Sequence, residues 1–398
     1  MPFILQVAGV FVGPFLTLPM NTNRRQFLRS SSTLLALPWL EELSAAANPA
    51  PSRSHEPMLV FNCDFNWARY TKSKEHPEGL QRPATPEDWA QVDAREYFKY
   101  HVEFGNNVTY CQAWCSYGFA LYPSKLGPTG KGKAATLFPD LYRLSREAGL
   151  PVWSYISSSS DFYAAQEHPE WLIPGTIPKS YGHGGFMGPE TPYVDVVCRR
   201  IEEFLRQWPV DWLLLDWFTY GPLVPNGGPV QPTEFVKKPF HRIIGRPMPE
   251  KAEDITMAEN LLYKRTVLAE QFRKLHAAVK GASPKTKVIF NVPYHRPAEE
   301  LWVDHPMLKE SDGLFAESSD DVVGWLLDVR RPDQRVMTTV IGRGKGLSRP
   351  DTWKKWHDRG CDFFGYAHGT PPGFLPVPEF DEDLTATRKA FQQMNPKL

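Results

Sequence analysis

An apolar run that ends on an acid is the feature that most constrains how this chain can fold. Residues Trp212 to Leu215 are all apolar, and Asp216 follows them directly. Such a run predicts a short strand that is buried on both faces, as in a parallel sheet covered by helices. Asp216 then lies at the carboxyl end of its strand, where parallel α/β barrels build their active sites. It is either a cap or an ion-pair partner, or it takes part in catalysis, because a buried Asp is rare unless it is paired.

Strand-like and helix-like runs alternate along the rest of the chain. Eight strands are predicted, over Leu59–Asn66, Asn107–Cys115, Pro151–Ser157, Trp212–Phe218, Lys287–Tyr294, Gly313–Ser318, Arg335–Gly342 and Cys361–His368. Helices are predicted over Glu87–Phe104, Phe138–Ala148, Tyr193–Gln207, Met257–Val279, Pro297–Leu308, Asp320–Val329, Pro350–Arg359 and Asp381–Met394. This alternation predicts a parallel sheet, and eight units predict a (β/α)8 TIM barrel over residues 58–395, a single domain with long βα loops. An open doubly wound sheet is the alternative, but no strand is followed by its Gly-x-Gly-x-x-Gly turn.

Length, charge and cysteine usage restrict the class of protein. A chain of 398 residues suits one barrel with inserted loops better than two domains. Lys plus Arg and Asp plus Glu both number 45, so the formal charge is zero and nothing favours a nucleic-acid partner. The five cysteines are an odd number, which argues against a complete disulfide framework and predicts buried thiols. No Cys or His pair has zinc-motif spacing, so neither a metal nor a cofactor is predicted.

The amino-terminal region has the pattern of an export signal. A twin-arginine motif spans Asn23–Leu28, a short apolar stretch follows at Ser30–Leu40, and Ala45–Ala47 matches a small-residue cleavage site. Residues 1–47 are therefore predicted to be a twin-arginine-type signal, with Met20 as the true start. The protein would be exported to the periplasm or beyond, with no stable membrane span after processing. The alternative is a membrane anchor at Val7–Leu18.

A second acid, Glu317, also follows a short apolar run, as Asp216 does. The run from Gly313 to Ala316 is short and mostly apolar, and Glu317 ends it. The two acids end the fourth and sixth predicted strands, whose side chains share layers in a barrel. Glycoside hydrolysis needs such a pair, one carboxylate to attack or to activate water and one acid to protonate the leaving oxygen. Alternatively, Glu317 caps the helix near Asp320 or holds Asn291 in place.

Further polar and aromatic residues lie near the predicted strand ends. Together they suit a hydroxyl-rich ligand, because amides and carboxylates pair its hydroxyl groups while aromatic rings cover its apolar faces. The candidates are Asp64, Trp67, Gln112, Trp114, Tyr155, Trp217, Asn291, Tyr294, His295, Tyr366 and His368. They predict a carbohydrate as the substrate.

Several segments resemble a known family. Tyr117–Ser124 resembles the segment His-His-Asp-Gly-Phe-Ala-Leu-Trp of α-L-fucosidase-like glycoside hydrolases, and the similarity continues through Phe138–Ser157 and Tyr193–Trp217. The chain, including His168–Trp171, also resembles barrels known as hypothetical glycosyl hydrolases. The resemblance implies a barrel fold, and it implies that Asp216 is the nucleophile. Cys115–Tyr117 replaces the His-His-Asp triplet, so the family's fucose-binding histidines are missing and a related glycosidase is implied.

The sequence as a whole predicts an exported glycoside hydrolase that acts on an oligo- or polysaccharide, with retention of configuration. Asp216 and Glu317 are its predicted catalytic residues. Two other classes are compatible with the same residues. One is a carbohydrate-binding barrel without catalysis. The other is a metal-dependent sugar-processing barrel that uses Asp64, Asp216, Glu317 and His295 as ligands.

Overall fold

The computed structural model describes residues 56–70, 80–175, 185–220, 228–292, 304–317, 320–339, 350–374, 376–377 and 384–395. Its centre is one sheet. The strands are β1 (Leu59–Tyr70), β2 (Leu80–Pro83), β3 (Thr109–Trp114), β4 (Val152–Ser157), β5 (Trp212–Asp216), β6 (Lys287–Asn291), β7 (Gly313–Ala316), β8 (Arg335–Thr339), β9 (Asp362–Gly369) and β10 (Pro376–Val377). Neighbouring strands follow the order β2-β1-β9-β8-β7-β6-β5-β4-β3, with β10 on β9.

The predicted parallel sheet is confirmed. Strands β1 and β3 to β9 correspond to the eight predicted strands, and the ladders that join these eight to one another are all parallel. The patterns did not predict β2 and β10, which pair antiparallel with β1 and β9. Both are short and lie outside the βα alternation, so no periodic signal marks them.

Helices connect the parallel strands, as the alternation requires. They are α1 (Ala94–Phe104), α2 (Leu137–Glu147), α3 (Phe162–Glu167), α4 (Tyr193–Gln207), α5 (Glu234–Ile244), α6 (Met257–Ala282), α7 (Pro306–Glu310), α8 (Asp320–Val329), α9 (Pro350–Asp358) and α10 (Leu384–Met394). The start of α1 was predicted too early. Asp93 fixes it instead, since its side chain accepts from the backbone N–H groups of Arg95 and Glu96 at the helix N-terminus.

Strands β1 and β3 lie at the two ends of the parallel ladder, and side chains join them. No backbone ladder links the two strands within the described residues. Asn106 exchanges hydrogen bonds of 3.0 and 2.8 Å with the backbone N–H and carbonyl of Phe61. Asn107 Oδ1 accepts from the backbone N–H of Leu59 at 2.8 Å. The sheet is therefore curled and barrel-like, with a seam that amide side chains bridge.

Side chains alternate between the two faces of each strand, and they form one hydrophobic core on each face of the sheet. One lies between the sheet and its helices. The other lies inside the curl and contains Tyr110, Trp153 and Phe364, whose ring centroids are 5.3 to 6.0 Å apart. Because successive side chains of a strand point to opposite faces, the inward positions that follow this inner core reach Asp216 and Asn291 at the carboxyl ends.

The cysteines are free thiols, as predicted, and all except Cys198 are buried. The predicted amino-terminal signal lies outside the described residues and stays a prediction. Within the described ranges, no helix has the length and apolar character needed to cross a membrane.

Candidate active site

The two candidate acids lie beside one amide. Asn291 Nδ2 donates to Asp216 Oδ1 at 2.7 Å and to Glu317 Oε2 at 3.2 Å. The three residues come from the carboxyl ends of β5, β6 and β7, which are neighbours in the sheet. Asn291 is buried, whereas both acids are only partly buried. The sheet therefore places both acids at one edge and holds them with a neutral donor.

Burial dominates the electrostatics of Asp216. It raises the pKa of the carboxyl group, while the hydrogen bond from Asn291 opposes that shift and the nearby charge of Asp64 adds to it. The buried Tyr155 hydroxyl also lies beside Asp216, and as a hydrogen-bond donor it lowers the pKa of the carboxyl group, against the effect of burial. Asp216 is thus a carboxyl group in a poorly hydrated setting, surrounded by neutral donors.

The backbone immediately after Asp216 is strained. Trp217 has a φ of 55°, in the left-handed region that non-glycine residues rarely adopt, at a typical cost of about 1–3 kcal/mol. The serines after β4 contact this turn, since Ser158 and Ser159 bond to the carbonyl groups of Asp216 and Trp217. Sequence reasoning did not single out these serines. The run of four serines from Ser157, at a strand's carboxyl end, was the available signal.

Asp64 is in β1, one of the two strands that meet at the seam, and Gln112 of the other strand, β3, positions it. Gln112 Nε2 donates to Asp64 Oδ1 at 2.8 Å, and Gln112 Oε1 accepts from the backbone N–H of Phe65 at 2.8 Å. Gln112 is only 1% exposed and uses both ends of its amide. Its role in the structure is to orient Asp64, which itself is partly accessible.

Aromatic residues next to Asp64 form one wall of the site. The ring of His368 lies 5.9 Å from that of Trp67 and 6.1 Å from that of Tyr366, measured between centroids. Its Nε2 atom is 4.0 Å from Asp64 Oδ2. On the opposite side, the Trp217 ring lies 5.4 Å from that of Phe186.

Three predicted binding residues are not brought to this site by the described structure. Trp114 is fully buried in the core between the sheet and the helices, and the guanidinium of Arg200 lies 4.0 Å from its ring centroid. The register shift after Gln112 in the β3–β4 ladder accompanies this placement. Tyr294 and His295 lie outside the described residues.

The metal-dependent alternative would use Asp64, Asp216, Glu317 and His295 as ligands. Within the parts of the chain that the structure describes, no group of three or more His, Cys, Asp or Glu side chains is arranged to hold a metal ion. His295, one of the four predicted ligands, is not described.

Two solved structures with a similar fold are glycoside hydrolases. The α-L-fucosidase isoenzyme 2 from Paenibacillus thiaminolyticus matches with a TM-score of 0.58 and 16% identity, over 86% of this chain and 49% of that chain. The chain has an α-L-fucosidase-like fold. A β-galactosidase from Bacillus circulans sp. alkalophilus matches with a TM-score of 0.55 and 12% identity, over 87% of this chain and 56% of that chain.

The structural likeness confirms the resemblance in the sequence at the level of the fold. The chain spans about half the length of these two enzymes. No protein-family model matches the chain, and no curated protein sequence matches it.

Proposed function

We propose that this protein is a glycoside hydrolase whose catalytic pair is Asp216 and Glu317. The observation that carries the proposal is the pair of hydrogen bonds from one amide, Asn291, to both acids at the carboxyl edge of a parallel sheet. The similarity of the fold to a fucosidase and a galactosidase supports the same reaction class.

In the proposed reaction, the Asp216 carboxylate attacks the anomeric carbon and forms a covalent glycosyl ester. The bond to the leaving oxygen breaks, and protonated Glu317 gives that oxygen its proton. The Glu317 carboxylate then removes a proton from water, which attacks the same carbon and releases Asp216. Asn291 donates to Asp216 and keeps the attacking oxygen oriented, and the poorly hydrated surroundings strengthen each of these interactions.

The spacing of the pair favours retention of configuration. Asp216 Oδ1 and Glu317 Oε2 are 2.7 and 3.2 Å from the same nitrogen, so their separation cannot exceed the sum of those two distances. That limit holds for these two oxygens, and it lies closer to the about 5–5.5 Å between the carboxyl groups of retaining pairs than to the roughly 6.5–9.5 Å of inverting pairs.

The remaining parts of the proposal concern the barrel and its substrate. We propose that the curled sheet closes as an eight-stranded barrel, with the amides of Asn106 and Asn107 completing the seam. The substrate is an oligo- or polysaccharide, bound between the aromatic wall of Trp67 and Tyr366 and the ring of Trp217. Export through the twin-arginine motif would bring the enzyme to such substrates outside the cytoplasm.

Leaving-group dependence tests the role of Glu317. The wild type is first assayed on aryl glycosides that include α-L-fucosides and β-D-galactosides. On the best substrate type, Glu317→Ala is expected to lower kcat/KM on poor leaving groups by about 10²–10⁴-fold and to leave kcat/KM on 2,4-dinitrophenyl glycosides nearly unaffected, because good leaving groups need no proton in the first step. Equal losses on both would remove Glu317 from this role.

Two controls separate the alternatives. EDTA should leave turnover unchanged, whereas a metal-dependent barrel would lose activity and regain it with added metal. A wild-type protein that binds oligosaccharides but hydrolyses no glycoside would instead be a binding module.

A further inference from the structure

The four serines from Ser157 to Ser160 are all buried at the carboxyl end of β4. Ser157 pairs with Asp216 in the last ladder position between β4 and β5. Beyond this point the two strands separate into loops, and the carbonyl groups of Asp216 and Trp217 accept from the backbone N–H groups of Ser158 and Thr219 at 2.8 and 3.0 Å.

Serine hydroxyl groups add a second donor to each of these two carbonyl groups. The carbonyl oxygen of Asp216 accepts from the backbone N–H of Ser158 at 2.8 Å and from its hydroxyl at 2.5 Å. The carbonyl oxygen of Trp217 accepts from the hydroxyl of Ser159. These two carbonyls belong to the peptide groups on either side of the Trp217 Cα. Fixing both groups sets the backbone angles of Trp217, which include its left-handed φ of 55°.

The serine run is itself anchored from two directions. The side chain of Gln271, which is buried in α6, donates to the Ser158 carbonyl at 3.4 Å. The backbone N–H of Met187 donates to the Ser159 carbonyl at 2.8 Å. Ser157 Oγ also donates to the Ser160 carbonyl at 2.7 Å. These three hydrogen bonds fix the backbone of the serine run, which carries the hydroxyl groups of Ser158 and Ser159.

We propose that Ser158 and Ser159 are positioning residues that hold the strained turn at Trp217 and so aim the Asp216 carboxylate at the site shared with Asn291. The proposal rests on the proposed function in so far as Asp216 is the nucleophile. Without the hydroxyl groups the turn relaxes, because a non-glycine residue keeps a left-handed conformation only where its surroundings enforce it. Relaxation rotates the peptide after Asp216 and moves its side chain away from Asn291.

The first test compares two buried serines of the same segment on the substrate found for the wild type. Ser159→Ala removes a hydroxyl from the turn. Ser154→Ala removes an equally buried hydroxyl, which donates to the Cys111 carbonyl at 2.8 Å far from Trp217. We expect Ser159→Ala to lower kcat by about 10–100-fold with little change in KM, because small misplacements of reacting groups have effects of that size. Ser154→Ala should keep kcat, and equal losses in both variants would overturn the proposal.

The pH profile adds a readout that a purely structural role would not change. A displaced Asp216 loses the hydrogen bond from Asn291, which favours its charged form. The acidic limb of kcat/KM should therefore move to higher pH in Ser159→Ala and stay in place in Ser154→Ala. An unmoved limb in Ser159→Ala would count against the proposal.

A double-mutant cycle tests whether the serine acts through the strain at Trp217. Glycine adopts a positive φ without strain, so a Trp217→Gly chain needs no hydroxyl to hold its turn. Ser159→Ala should cost several-fold less kcat in the W217G background than in the wild type. The same cost in both backgrounds would contradict a role through the turn.

Crystal structures decide the inference without any assay. In Ser158→Ala/Ser159→Ala, or in Ser159→Ala alone where the double variant does not fold, φ of Trp217 should leave the positive region and the bond from Asn291 to Asp216 should lengthen. An unchanged turn overturns the inference, even if the protein is an active glycosidase. Conversely, a wild type that hydrolyses no glycoside overturns the proposed function while these structures still decide how the turn is held.

Discussion

Acids at the two ends of the same strands have opposite surroundings. Asp211, Asp312 and Asp362 lie at the amino-terminal ends of β5, β7 and β9, and each pairs with a basic side chain. The pairs are Asp211 with Arg146 at 2.8 Å, Asp312 with Lys280 at 2.9 Å and Asp362 with Arg335 at 2.5 Å. Each acid also accepts a backbone N–H at the start of a neighbouring strand, from Val152, Val288 and Met58 respectively. These three acids therefore link the starts of neighbouring strands and have a structural role.

The acids at the carboxyl ends are held differently. Asp216 and Glu317 receive hydrogen bonds from a neutral amide, which orients a carboxylate without cancelling its charge. In the sequence, Asp211 and Asp216 flank one strand just as Asp312 and Glu317 flank another. Both kinds of acid lie beside an apolar run in the sequence. What distinguishes a structural acid from a candidate catalytic acid is therefore the partner that each one has in the folded protein.

The largest expected effect comes from the nucleophile candidate. Asp216→Asn should lower kcat/KM on the order of 10⁴-fold or more, as loss of a nucleophile does in other enzymes. Steady-state kinetics of the purified variant measures it. The matched control is Asp211→Asn at the other end of the strand, which should keep kcat and lose only about 1 kcal/mol of unfolding free energy, because its ion pair is partly exposed.

Asp216→Asn and Asp211→Asn should also differ in unfolding free energy. Here Asp211→Asn, the variant that keeps kcat, should be the less stable of the two. Burial raises the pKa of Asp216, so the folded state holds its proton more tightly than the unfolded state does. Its contribution to stability is therefore full below the unfolded pKa of about 3.9 and is lost as pH rises through the folded pKa. Asp216→Asn should thus be at least as stable as the wild type at neutral pH, and a marked loss of stability would mean that Asp216 is structural.

The next effect concerns the buried pair at the amino-terminal end. Asp362 is fully buried, and the Arg335 side chain is 15% exposed. Asp362→Asn should lower the unfolding free energy by about 3–5 kcal/mol, because it leaves a buried guanidinium without its charge partner. Denaturant unfolding measures this loss, and the folded fraction should keep its kcat. The exposed pair Arg331–Asp333 provides the control, since Asp333→Asn should change stability little.

The smallest effect concerns the shared amide. Asn291→Ala should lower kcat/KM on the order of 10²-fold, the usual result of removing one oriented donor from an active site. The acidic limb of kcat/KM should move to higher pH, because Asn291 holds the pKa of Asp216 down. Asn62→Ala is the control, since Asn62 is equally a buried amide and donates at 2.8 Å to the Gly365 carbonyl rather than to Asp216 or Glu317. A limb that stays in place in Asn291→Ala would show that the amide does not act on Asp216.

Local patterns predicted the parallel strands and most of the helices, because each pattern records burial within one element, but they did not predict α3 or α5. The eight apolar runs recur as parallel strands, and α4 spans the predicted Tyr193–Gln207. Patterns could not predict β2 or β10, whose pairing depends on their partners rather than on their own periodicity. Trp114 shows a related limit, since a register shift after Gln112 in the β3–β4 ladder reverses the face that simple alternation assigns.

The sequence by itself determined a parallel α/β sheet and placed Asp216 at the end of one of its strands, because strand length and burial are local properties. Only the tertiary structure decided the partners. Asn291 contacts Asp216 across 75 positions of sequence and Glu317 across 26, and Ser158 contacts the Asp216 carbonyl across 58. These contacts depend on the order, register and curl of the strands. The periodicity of one strand contains no information about them, so the chemistry of the site emerges only when the sheet has formed.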